Sequence, residues 1–254
     1  MVFDRFANRE TKMGVSQQLE QISSMKYQVK RLLKLIFSGQ LKIHTGQYGE
    51  DIVLHKIFRN LPAKGYYIDV GAHHPFAISN TAYLWAKGWR GVNVDASAEA
   101  IKRFKSARPD DINICAAVIP TEQLTSDKKI TFYFNKTIDN NATCDPEIAQ
   151  SRNLARRVEV NCTSLKQVIE TAKDSFGTQF DLLNIDIEGL DEGAMTDMAE
   201  WVCLPRVLMI EIYSKNLLDL ANNATTKLIV SHGYTLSQRM GHTAIFERTV
   251  PISN

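Results

Sequence analysis

Five carboxylates stand at or near the ends of short apolar runs, where a folded strand would deliver them to a ligand. Asp69 sits in Tyr66-Tyr67-Ile68-Asp69-Val70, and Asp95 closes Gly91-Val92-Asn93-Val94-Asp95. Asp186 and Glu188 fall in Asn184-Ile185-Asp186-Ile187-Glu188-Gly189, and Glu211 in Met209-Ile210-Glu211-Ile212-Tyr213. An acid inside an apolar run costs several kcal/mol, in rough terms, unless it is paired. Asp69 therefore either orders the adjacent turn or accepts from a cationic ligand amine. Gly71 and Ala72 follow it and let the backbone turn tightly against a ligand. Asp95 lies about two dozen residues past that turn, the distance at which a carboxylate accepts from both hydroxyls of a ribose, with capping of the next helix as the alternative. Asp186 and Glu188 share a face if the strand runs through both. With Glu211 they make a cluster that can take the proton of an alcohol, or hold a divalent metal that acidifies it; some of the three can instead cap the following loop. His73 and His74, in the turn, are candidates for a base, a stacking partner or a cap. His242 reads as structural.

The elements that carry these groups alternate. Strand patterns over 66–70, 91–95 and 112–119 are separated by helical patterns over 79–87 and from Ser97 to just before Pro109. Two further strands, 129–134 and 158–162, enclose a polar stretch, 135–152, so that about 120–163 reads as an insertion forming a lid or an acceptor-binding element. A helix capped by Ser164 follows, then a strand over 180–187, a helix over 191–201, a strand over 206–212 and a helix over 215–231. Two last strand-like runs, 234–240 and 242–248, are too close together to hold a helix and must form an antiparallel hairpin. Alternating strands and helices imply a mainly parallel sheet. A seven-stranded sheet of this kind, finished by a hairpin, is the Rossmann-like α/β architecture of Class I methyltransferases, whose cofactor S-adenosylmethionine has no phosphate and needs no glycine-rich phosphate loop.

Bulk properties exclude other classes. In 254 residues, 44% hydrophobic and 23% charged, there is enough apolar matter for one large α/β core. A net charge of +2 gives no footprint for nucleic acid. Four scattered cysteines form no Cys-x-x-Cys pair, which fits a reducing, cytoplasmic setting. The Asn-x-Thr triplets at Asn135, Asn141, Asn161 and Asn223 read as chance matches. No apolar run approaches the roughly 20 residues of a membrane span. Residues 1–46 form a separate helical extension to a domain over 47–254. In that extension Leu32, Leu33, Leu35, Ile36 and Phe37 flank Lys30, Arg31 and Lys34, as in a surface helix packed on its own domain or on a twin subunit in a homo-oligomer, or laid on a membrane or partner. A helix over 50–59 follows.

Together these pieces resemble the FkbM family of methyltransferases. The matching residues are Gln47-Tyr48-Gly49-Glu50-Asp51, Asp69-Val70-Gly71-Ala72-His73-His74-Pro75 with Ser79-Asn80-Thr81, Gly88-Trp89-Arg90-Gly91 leading into Asn93-Val94-Asp95-Ala96, Thr163-Ser164-Leu165, and Asp186-Ile187-Glu188-Gly189-Leu190-Asp191. They run in family order over about 45–248, with His73 and Pro75 where many members carry asparagine and glycine. The resemblance implies O-methylation, often of sugar hydroxyls in glycans, glycolipids or natural products. It implies cofactor contacts at Asp69, Gly71, Asp95 and Ala116-Ala117, to which Ala72, His73 and Ala96 are added from the same turns and Asp186 from the fourth strand. Glu188 and Asp186 are placed near the acceptor, so the expected catalytic set is Glu188, Asp186 and His74, and the expected metal candidates are Asp186, Glu188 and Glu211. Two readings compete: an NAD-dependent oxidoreductase, disfavoured by the missing phosphate fingerprint and the closing hairpin, and a non-catalytic cofactor-binding module acting through its basic N-terminal helix.

Overall fold

The structure is a computed structural model that describes residues 15–41, 44–59, 64–125, 128–136, 142–177, 179–187 and 189–249, with side chains described from residue 23 onward. Contacts divide the chain into Met1–Ile43 and His44–Asn254. The first unit holds α1 (Val15–Phe37). The second runs α2 (Glu50–Ile57), β1 (Tyr66–Val70), α3 (Ala82–Ala86), β2 (Arg90–Asp95), α4 (Ala98–Ala107), β3 (Ile112–Cys115), β4 (Ala117–Val118), β5 (Lys129–Phe134), α5 (Pro146–Ser151) and β6 (Arg156–Thr163). It continues with α6 (Leu165–Phe176), β7 (Leu182–Ile185), α7 (Asp191–Ala194), β8 (Val207–Glu211), α8 (Leu217–Asn222), α9 (Ala224–Ser231), β9 (Tyr234–Met240) and β10 (Thr243–Arg248).

Among the described residues the main sheet has seven strands in the order β3-β2-β1-β7-β8-β10-β9. β10 pairs antiparallel with both β8 and β9, and the other neighbours pair parallel. The closing hairpin is therefore present, with its second strand inserted next to β8 and its first strand at the edge. A separate three-stranded sheet, β4-β6-β5, is built mostly from the insertion.

The two-residue period of the strands sorts the core. Ile68, Val70, Val92, Val94, Leu183, Ile185, Leu208 and Ile210 face one layer, with α6. Tyr67, Leu182, Val207 and Met209 face the other, with Leu54 of α2, Leu84 of α3 and Trp89. Asp69 has the parity of Tyr67 and points into that second layer.

Four sequence expectations are corrected by local chemistry. The helix expected over 79–87 starts only at Ala82, because Ser79 donates its amide to the carbonyl of Thr45 (2.9 Å) and Ile78 takes φ 51°. The strand expected over 112–119 breaks at Ala116, whose amide makes the last bond to β2, at Asp95 (3.0 Å); Ala117 and Val118 then pair with β6. The helix expected over 191–201 ends at Ala194, with a single 3₁₀ turn at Met198–Glu200. The helix expected over 215–231 is two, since Asn223 accepts from the amides of Thr225 and Thr226 and so starts a new one.

The second layer has a charged centre. Arg108, just past α4, is 0% exposed. Its Nη1 donates to the Tyr67 hydroxyl (2.9 Å) and to Thr81 Oγ1 (2.9 Å), and its Nη2 donates to the Pro75 carbonyl and to Ser79 Oγ (3.3 Å). The Tyr67 and Thr81 hydroxyls each donate in turn to a carboxylate: Tyr67 to Asp111 (2.5 Å) and Thr81 to Asp69 (2.6 Å). The guanidinium also lies 5.0 Å from the Phe104 ring centre. One buried cation thus balances two buried acids through two relay hydroxyls. Removing it leaves those acids uncompensated, so Arg108→Met is expected to lower the unfolding free energy by about 3–5 kcal/mol. Urea denaturation measures this, and a loss below about 1 kcal/mol would show that the network carries little stability.

Candidate functional site

A cavity of about 380 Å³ opens at the carboxyl ends of β1, β2, β7 and β8, the end at which open α/β sheets bind ligands. Its floor begins with the turn after β1. Gly71 has φ 79°, and a Cβ there would lie 1.7 Å from the backbone oxygen of Asp186, so only glycine lets the tips of β1 and β7 come this close. The amides of Gly71 (2.9 Å) and Ala72 (3.1 Å) both donate to Val94, which ties this turn to β2.

Asp95 ends β2 at the cavity wall. Its Oδ2 accepts from the His73 amide (2.8 Å) and its Oδ1 from the Ser97 amide (2.7 Å). Burial pushes its carboxyl up to about 6, against the lowering pull of those two amides. Ser97 in turn caps α4, its side chain accepting from Ala100. Asp95 is thus both the organiser of two loops and an acceptor facing the cavity.

At the tip of β7 the Asp186 amide makes the last ladder bond, to Val70 (2.9 Å), after which the chain leaves the sheet. The strand therefore stops before Asp186, and strand alternation does not set the relative facing of Asp186 and Glu188. The loop is ordered by Asp191 instead. Its Oδ1 accepts from the Ile187 amide (2.9 Å) and its Oδ2 from the Gly189 amide (3.1 Å). Asp191 is buried, which raises its carboxyl to about 6 even with the two amides favouring the charge.

The expected site residues divide as follows. Gly71, His73, Asp95, Ala96, Ala116, Ala117, Asp186 and Glu211 all line the cavity. Ala72 is buried beneath the turn rather than on the wall. Asp69 is 2% exposed and does not line the cavity: its oxygens accept from Thr81 and from Asn184 Nδ2 (2.9 Å), which ties β1 to the start of α3 and to β7. Burial raises its carboxyl, with the Thr81 and Asn184 bonds acting the other way. His74, expected in the catalytic set, sits in the loop after Gly71. Its Nδ1 accepts from the amides of Phe76 (3.1 Å) and Ala77 (3.0 Å), which makes it a loop cap, and it lies off the cavity wall. Glu188 lies outside the described residues. Among the described residues no group of three His, Cys, Asp or Glu side chains is placed to hold a metal ion.

The remaining wall was not assigned from sequence. Phe132 and Phe134 of β5 project to it with rings 5.8 Å apart, joined by Tyr48, Tyr213 and His242. The two phenylalanines are two residues apart on one strand, a signal the alternation already contained. His242, read as structural, is on the wall with its ring 4.7 Å from that of Tyr213. Tyr133 and Thr143 exchange backbone bonds of 2.8 and 3.1 Å, an antiparallel bridge beside β5.

A seven-stranded α/β sheet thus presents a carboxylate at the tip of β2, a glycine turn at the tip of β1 and an aromatic wall to one cavity. The chain belongs to the FkbM methyltransferase family: the model of the methyltransferase FkbM domain matches residues 69–235. No curated protein matches the chain in sequence. Among solved structures, a TehB-like SAM-dependent methyltransferase from Corynebacterium glutamicum aligns over 89% of this chain and 99% of its own, at 12% identity and a TM-score of 0.39.

If Asp191 is what holds the loop after β7, Asp191→Ala should speed amide hydrogen exchange at Ile187 and Gly189. The Gly71 amide, bonded to Val94, should stay protected. Unchanged exchange at Ile187 and Gly189 would mean that the loop is held from elsewhere.

Proposed function

We propose that this chain is an S-adenosylmethionine-dependent O-methyltransferase with a Class I fold, acting on a hydroxyl of a sugar, glycan or natural product. The observation that carries the reading is the Asp95 carboxylate beside the Gly71 turn. Each of its oxygens accepts one amide, and a carboxylate offers about four lone-pair sites. Two acceptor positions therefore remain for the two hydroxyls of a ribose. Gly71, Ala116 and Ala117 add little side-chain bulk to the wall, and the cavity falls within the roughly 300–1,000 Å³ usual for small-molecule sites. The single tight glycine turn suits a cofactor without phosphate and is poorly matched to a pyrophosphate.

When bound, S-adenosylmethionine supplies a methyl group already activated on a sulfonium. The chain's own work is then to hold an acceptor oxygen in line and to receive its proton. Asp186 and Glu211 line the same cavity and are the acids proposed for that proton, with Glu188 kept beside them on the sequence motif. Phe132 and Phe134 give the acceptor a flat apolar face and exclude water from the transfer. Turnover with and without a chelator separates these acids as bases from the same acids as ligands of a divalent ion.

Isothermal calorimetry is the first test: S-adenosylhomocysteine should bind and NAD should not, and the reverse would reject the proposal. A second test follows from the titration of Asp95. Above about pH 6 its carboxylate is ionised and accepts from ribose; below that it is protonated and loses acceptor capacity. Affinity for S-adenosylhomocysteine should accordingly fall, by up to about tenfold per pH unit, as pH drops below that value. Asp95→Asn should bind more weakly, by roughly 1–3 kcal/mol, with a flatter pH profile. A wild-type profile that is level between neutral and acid pH would remove Asp95 from the ribose role.

A further inference from the structure

We infer that α1 is a peripheral membrane anchor, its apolar face seated in the headgroup layer of an anionic phospholipid bilayer. The inference uses no feature of the cleft, so it stands or falls apart from methyl transfer.

Met25, Val29, Leu32, Leu33, Ile36 and Phe37 fall at steps of one, three and four residues and share one side of the helix. Most of them are exposed: Met25 is 58% exposed, Val29 49%, Leu32 48%, Leu33 46% and Phe37 85%. Large apolar side chains in that number on one helix face call for an apolar partner.

Charge selects the partner. Lys26, Lys30, Arg31 and Lys34 lie on the same stretch, and no Asp or Glu occurs from Gln21 to Gly49. Residues 1–43 hold eight Lys and Arg against three Asp and Glu, whereas 44–254 hold 22 against 25. The cationic excess belongs to this segment alone, which complements a surface of lipid phosphates. A second copy of α1 would bring a like-charged helix. Its two-in-seven seam (Val15, Gln18, Ile22, Met25, Val29, Leu32, Ile36) would also leave Leu33 and Phe37 in water. None of the described helices is long and apolar enough to cross a bilayer. An amphipathic helix with cations interrupting the apolar sequence instead lies in the membrane plane, with the lysine stems reaching up to the headgroups.

The test is co-sedimentation of the full chain with vesicles of phosphatidylglycerol and phosphatidylcholine in equal parts, against phosphatidylcholine alone. Binding to the anionic vesicles is expected to be at least ~10-fold stronger and to weaken in high salt. Lys30→Glu with Lys34→Glu should abolish it, as should Leu33→Gln with Phe37→Gln, each with an unchanged thermal unfolding transition. Equal binding to both vesicle types would overturn the proposal. So would no binding at all, most tellingly if the chain were a dimer that Leu33→Gln with Phe37→Gln dissociates.

Discussion

A single guanidinium without access to water sets the terms for the rest of this fold. Arg108 ties together the middle of β1 through Tyr67, the loop before α3 through Pro75, Ser79 and Thr81, and the turn before β3 through Asp111. Asp111 also accepts from the Gly91 amide (3.1 Å) and from Asn93 Nδ2 (3.1 Å), which brings β2 into the same network. A buried charge is tolerated only when its neighbours satisfy it completely enough to repay lost hydration. Here that requirement forces β1, β2 and the β3 turn into one arrangement, and the tips of those strands are the cavity floor.

Strand alternation lets β1 serve two masters. Tyr67 and Asp69 point toward the guanidinium, while Ile68 and Val70 point into the larger apolar layer. Val70 and Gly71 then emerge at the cavity. Asp69, for which sequence reasoning offered either the turn or a ligand amine, is instead engaged by Thr81 and Asn184. The acid that lines the cavity is Asp95 on the neighbouring strand, whose two oxygens each accept one amide.

Much of this was legible in the residues. β1, β2, β9 and the caps at Ser97 and Ser164 follow from apolar runs and local hydroxyl chemistry, because those signals are short-range. The strand over 112–119 was misread for the opposite reason: its break at Ala116 is decided by competition between β2 and β6, partners that an apolar run does not reveal. The facing of Asp186 depended on where β7 stops, at Ile185, beyond which Asp191 rather than a strand partner takes the amides of Ile187 and Gly189. Arg108 gave no signal at all. An arginine after a helix reads as solvated, and its burial follows only from the assembled hydroxyls and carboxylates around it. The aromatic wall was partly visible as an insertion with two phenylalanines on one face, but its union with Tyr48, Tyr213 and His242 is a long-range fact.

β5 takes its ladder bonds from β6, and β6 from β4 and β5, in a sheet distinct from the seven strands that carry the Asp95 and Asp186 tips. Replacing an aromatic at position 132 or 134 therefore reshapes the cavity wall without disturbing the registers beneath. Such a division gives an evolving lineage room to vary one face of the cavity while the face built on the seven strands stays constant.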